Sequence, residues 1–169
     1  MARDDILRLA LGVALSLGVG VVQSTLLYRA GPLHPDLVLL LVMGWSMSRG
    51  VEEGVVLGLV GGFVLDSLSA VPFGVHLIGM GLIAFLTGLA ESSLFRGNLL
   101  ISLSSTFFFT LGLHTFILLC LEAAGWTVSW VRAAGVVLPS AVANVALAAI
   151  VYPLLGRLLQ SPRDQSSLR

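Results

Sequence analysis

Asp36, Asp66, His76 and His114 stand inside or at the edge of long apolar stretches of this 169-residue chain, with Arg29, His34 and Glu122 close by. A carboxylate or imidazole in such surroundings is costly unless paired or hydrated, so each is a candidate functional residue. Asp36 follows Pro35 at the head of an apolar run, a pairing suited to capping a helix by accepting its first backbone N–H groups. Asp66, near the end of another run, suits a buried network with a His or Arg that locks helices together. Two other chemistries stay open. His and carboxylate ligands suit zinc, but the spacing matches no ligand motif such as H-E-x-x-H, and no metal or other cofactor is expected. Proton or solute coupling needs a continuous polar path, and in mid-span Asn144 is the one strong polar side chain. Asp66 also has the makings of a titrating switch, with burial favouring its neutral form and Arg29 or His76 its charged form.

Catalytic patterns are absent. No Ser stands in a Gly-x-Ser-x-Gly turn, and Ser102, Ser104 and Ser105 are expected to bond to their own helix backbone. Asp36 with Asp66 is the one candidate acid pair, and neither sits in a catalytic motif, so the chain is not expected to be an enzyme. Composition points the same way. Hydrophobic residues make up 57% and charged residues 11%, against about 25% charged in a typical soluble domain. With a mean hydropathy of +1.01, most of the exterior must meet lipid, which excludes a soluble enzyme. The nine basic residues are all Arg and are balanced by nine acids, leaving no surplus to neutralise nucleic-acid phosphates. Cys120 is a lone cysteine in an apolar run, which excludes an internal disulfide and a Cys-based zinc site.

The elements that must position these residues are apolar helices. Charges and Pro/Gly clusters divide the chain into six segments, 9–28, 33–48, 55–71, 73–90, 99–121 and 131–155, each read as a transmembrane helix. The first is read as a retained helix rather than a cleaved signal. The second is the thinnest, short and opened by Gly31, Pro32 and Pro35, and is expected to be tilted. A turn at Ala70, Val71, Pro72 and Gly74 predicts that the third and fourth form a close antiparallel pair. The expected organisation is one six-helix transmembrane domain over 1–160 and a flexible cytoplasmic tail over 161–169. Six spans put Arg3, Arg8, Arg49, Arg96, Arg157, Arg163 and Arg169 on one side and Arg29 and Arg132 on the other. That asymmetry predicts cytoplasmic termini and gathers the titratable groups within the spans toward the outer side, apart from Arg49, Glu52, Glu53, Glu91 and Arg96 at the cytoplasmic edge. Trp126 and Trp130 are expected at the outer interface.

Two small-residue stripes recur at four-residue spacing: Gly12, Ser16 and Gly20 in the first segment, and Gly54, Gly58 and Gly62, with Gly61 beside them, in the third. Such stripes let helices approach closely, either within one bundle or against a partner's helix.

The run Pro35, Asp36, Leu37, then Gly54, Gly58, Gly61, Gly62, Phe63, Val64, Leu65 and Asp66, then Phe73, Gly74, Val75 and His76, resembles the pattern of the bacterial rod shape-determining protein family MreD. Length and six-span layout are similar too. The resemblance covers roughly residues 35–88. It implies a non-enzymatic scaffold of the cell-elongation machinery in the bacterial plasma membrane. The partners it implies are MreC, the glycosyltransferase RodA, a class B penicillin-binding protein and MreB filaments. It carries Pro35, Asp36, Gly58, Gly62, Phe63, Asp66 and Gly74 over as pattern positions, to which Gly54 and His76 add a glycine face and a polar pocket for a partner or for structure. It also implies a fold similar to the substrate-binding membrane subunits of energy-coupling-factor transporters. The alternative function is therefore a small-solute-binding subunit of such a transporter, with Asp36, Asp66 and His76 lining its pocket.

Overall fold

The computed structural model describes residues 3–25, 34–90 and 98–159. Among them are six helices and no strand: α1 Arg3–Thr25, α2 Leu37–Arg49, α3 Val51–Leu68, α4 Val75–Ala90, α5 Leu99–Ala123 and α6 Trp130–Leu159. Three stretches are long and apolar enough to cross a membrane, Ile6–Thr25, Leu99–Ala123 and Trp130–Leu159, while α2 and α4 are shorter apolar helices. The tail and the loop residues Arg29 and Arg96, which enter the orientation argument, lie outside the described residues.

Local chemistry sets the boundaries and moves several of those expected. The second helix opens at Leu37 because the Asp36 carboxylate accepts the Leu39 N–H at 3.2 Å. It closes at Gly50, whose φ of 87° only glycine adopts at little cost, and the chain passes directly into α3 at Val51 rather than at 55. Asn98 caps α5, its side-chain oxygen accepting from Leu100 and Ile101 at 3.1 and 3.4 Å. Pro139 and Pro153 stand inside α6, which nonetheless continues to Leu159; neighbouring helices can satisfy the carbonyls that proline frees.

The short second helix is the centre of the bundle. Every residue from Val38 to Ser46 is buried, and α2 touches each of the other five helices. Its 13 residues make a rod of about 20 Å, too short for a bilayer core of about 30 Å if it stood alone. A helix apolar on every face from Leu37 to Trp45 is core. On one side it carries α1, α3 and α4, on the other α5 and α6. The exteriors of α5 and α6 are apolar and open, with Leu100, Phe108, Val131 and Ile150 all mostly exposed.

Glycine decides the closest approaches. A Cβ on Gly58 would lie 2.8 Å from the Met80 carbonyl oxygen, and one on Gly62 2.6 Å from the Leu77 Cα, so the backbones of α3 and α4 are in contact. Gly54 meets the Ser46 side chain of α2, and Gly88 of α4 meets Val51. On α1, Gly12 is covered by Trp45 and Leu57, and Gly20 by Val64 and Val38. Of the two uses open to these stripes, packing within the bundle therefore occupies both faces. The Gly54, Gly58 and Gly62 face packs against α2 and α4.

Candidate functional site

Asp66 enters the last turn of α3 with its side chain fully buried. Oδ2 accepts the N–H groups of Gly74 at 2.9 Å and Leu77 at 3.0 Å; Oδ1 accepts the His76 N–H and the His76 ring Nδ1, each at 2.9 Å. The first backbone donors of a helix have no partner within it. Here a carboxylate from the preceding helix supplies one, at the positive end of the α4 dipole. Gly74, at φ 100°, makes the turn that brings those donors round. Asp66 and His76 therefore join α3 to α4 as a network.

Asp36 builds a second, separate network. Its Oδ1 accepts from Leu39 and from Gln23 Nε2 at 2.9 Å, while Gln23 Oε1 accepts the Val38 N–H at 2.9 Å. The Asp36 backbone N–H donates to Asn144 Oδ1 at 2.7 Å, and Asn144 Nδ2 donates to Thr110 Oγ1 at 3.1 Å. One node thus ties α1, α2, α5 and α6, and Asn144 and Thr110 are both completely buried.

Below this node the hydroxyls continue. Thr110 donates to the Thr106 carbonyl at 2.8 Å and Thr106 to the Ser102 carbonyl at 2.9 Å. Tyr152 OH lies 2.6 Å from Thr106 Oγ1 and 3.6 Å from the Met43 sulfur. The view that Asn144 stands alone in mid-span is corrected by this column. The signal was present in the four-residue spacing of Ser102, Thr106, Thr110 and His114, one polar stripe along α5. Thr106 and Thr110 also bond across to Tyr152 and Asn144, so the column ties α5 to α6. Asn144→Leu is expected to leave the Asp36 N–H and Thr110 without their partner and to lower the stability of the detergent-solubilised protein by about 2–3 kcal/mol. Loss of tryptophan fluorescence on SDS titration measures it, and an unchanged midpoint would refute the role given to this node.

A cavity of about 450 Å³ opens between these two networks, lined by Gln23, Pro35, Asp36, His76, His114 and Ser140 among others. The structure thus brings Pro35, Asp36 and His76 to one cavity. It places Asp66 behind His76, and Gly54, Gly58 and Gly62 between helices. Phe63 lies outside, half-exposed, its ring edge-on to the exposed Phe73 with centroids 5.7 Å apart. Gln23 and Ser140 were not anticipated. Neither is ionisable, and their position at the mouth depends on where α1 and α6 end up. Among the described residues, no group of three or more His, Cys, Asp or Glu stands close enough to hold a metal ion.

Apolar helices with this exterior mark a membrane protein. Neither the curated proteins nor the solved structures give a match, and the likeness to energy-coupling-factor subunits gains no support there. The family model for the rod shape-determining protein MreD matches residues 7–162, nearly the whole chain and well beyond the motif core. That family is one of shape-determining structural proteins rather than a known family of enzymes, and it is part of the rod-shape complex. The chain belongs to the MreD family, and its role is in rod shape determination.

Proposed function

We propose that the protein is a six-span, non-enzymatic scaffold of the elongation machinery in the bacterial plasma membrane, with both termini cytoplasmic. It binds MreC and through it links RodA and a class B penicillin-binding protein outside to MreB filaments inside. No turnover is involved. Membership in the family supports the setting. The observation that carries the mechanism is the Asp66 clamp. A fully buried carboxylate holding three backbone N–H groups and an imidazole fixes the α3–α4 turn as a rigid element.

Beside that turn stand Phe63 and Phe73, 52% and 65% exposed. Their edge-to-face contact makes one aromatic ridge, held in place by the clamp beneath it. Aromatic residues fixed on a rigid support are good anchors for another chain, because little conformational freedom is lost on docking. With the glycine face filled from within, this ridge is the partner surface the geometry favours, and lipid covers the rest of the apolar exterior.

Co-purification in mild detergent with the MreC protein of the same cell tests this. Wild-type protein should retain MreC, and Phe63→Ser with Phe73→Ser should reduce recovery about tenfold or more while leaving the melting temperature of the protein alone unchanged. Failure of the wild type to retain MreC would remove the scaffold reading. Full recovery with the double variant would move the contact off the ridge.

A further inference from the structure

Three buried hydroxyls among the described residues have no hydrogen-bond partner: Ser16, Thr87 and Ser140. Ser140 alone of these lines the cavity, and it is 1% exposed. A helical hydroxyl usually satisfies itself on the carbonyl four residues back, as Ser24, Ser46 and Thr110 do in this chain. Ser140 does not, and an unmade bond in such a place is costly unless something in the cavity completes it.

The other polar atoms at the cavity are mostly acceptors. His114 Nδ1 lies 2.9 Å from the Thr110 carbonyl oxygen, which can only accept, so Nδ1 carries the proton and Nε2 of the neutral ring is an acceptor. His76 Nδ1 bonds to the Asp66 carboxylate in the same sense, and in the neutral ring its Nε2 is an acceptor as well. Neither Nε2 has a partner among the described residues. Asp36 Oδ1 takes both of the side-chain bonds that residue makes, leaving Oδ2 without a donor. The set is thus a carboxylate oxygen, two imidazole nitrogens and a hydroxyl, from α2, α4, α5 and α6. No Arg or Lys is among the described residues lining the cavity.

We infer that this cavity binds a cationic hydrogen-bond donor, a primary ammonium or guanidinium group, carried by a small amine or by a basic side chain of a partner polypeptide. A site lined, among the described residues, by acceptors and by no basic side chain favours such a group, since each donated bond involves a partly desolvated carboxylate or imidazole. The volume, about 450 Å³, lies in the range of small-molecule sites. Leu65, Leu68, Ile117 and Val136 supply an apolar wall for the alkyl stem. The inference does not depend on MreC binding and has its own readout.

Isothermal titration of the purified full-length protein in detergent tests it. The probes are ethylammonium, methylguanidinium, end-blocked Gly-Lys-Gly and Gly-Arg-Gly, and a neutral Gly-norleucine-Gly control, each corrected for heat in empty micelles. At least one cationic probe should bind and the neutral control should not. Ser140→Ala and Asp36→Asn should each weaken binding about tenfold. Ser140→Ala should melt with the wild type, since its hydroxyl has no bond to lose, so a folding defect cannot mimic the result. Equal binding of free amines and tripeptides identifies a small-amine site; binding of tripeptides alone identifies a polypeptide side chain. Heat from the neutral control equal to that from the cations, no heat from any cation at millimolar concentration, or wild-type binding by Ser140→Ala would each overturn the inference.

Discussion

Asp66→Ala is expected to destabilise the protein by about 3–5 kcal/mol, a loss of about 10 °C in the melting temperature of the detergent-solubilised chain. The size follows from the accounting of donors. Removing the carboxylate leaves the N–H groups of Gly74, His76 and Leu77 without partners at the start of α4, and deprives the His76 ring of its acceptor. Each stranded buried donor costs about 1–3 kcal/mol, less whatever water from the neighbouring cavity recovers. Asp66→Asn retains one acceptor oxygen but turns an amide NH₂ toward backbone donors, and about 2 kcal/mol is expected for it. His76→Ala, which leaves all three backbone bonds in place, should cost about 1 kcal/mol. The order Ala, Asn, then His76→Ala is the checkable result, read by tryptophan fluorescence during heating. A melt for Asp66→Ala within about 2 °C of the wild type would show that the clamp does not hold the turn.

Gly62→Leu is expected to have an effect of the same size, about 3–5 kcal/mol, for a steric reason. The first atom of any side chain there falls 2.6 Å from the Leu77 Cα and 2.7 Å from the His76 carbonyl oxygen. Both are backbone atoms, which cannot swing aside as a flexible side chain would, so α3 and α4 must separate. Gly18→Leu provides the control: a Cβ on that glycine meets nothing within 4 Å, and no loss is expected. Gly62 presses on the same first turn of α4 that Asp66 holds. Forcing that turn outward already stretches the carboxylate bonds, so Gly62→Leu with Asp66→Ala should cost clearly less than the two single losses added together. Strict additivity in that cycle would mean that packing and clamp act on independent parts of the fold.

The elements were largely legible because the physics that defines them is local. Apolar runs broken by Arg, Pro and Gly mark helices whatever they pack against, and the tight turn at Pro72 and Gly74 follows from residue chemistry alone. The boundaries that moved did so through particular caps. Asp36 accepts from Leu39 and delays the start of α2, and Gly50 turns the chain so sharply that α3 begins at once.

The sequence by itself determined that this is an apolar six-helix chain, that its close contacts run through glycine, and that Asp36, Asp66 and the three histidines stand toward one end. Those follow from composition and from spacing along one strand of covalent chain. Only the tertiary structure decided what each of them meets. It made the shortest helix the buried core, filled the Gly58 and Gly62 face with α4, and gave Asp66 to the backbone of the next helix. It also set Ser140 and Gln23 beside Asp36. A hydrogen bond between residues 36 and 144 depends on the relative placement of two helices, which no local propensity encodes. It is fixed when the bundle closes and buried polar groups must find whichever partners lie across the interface.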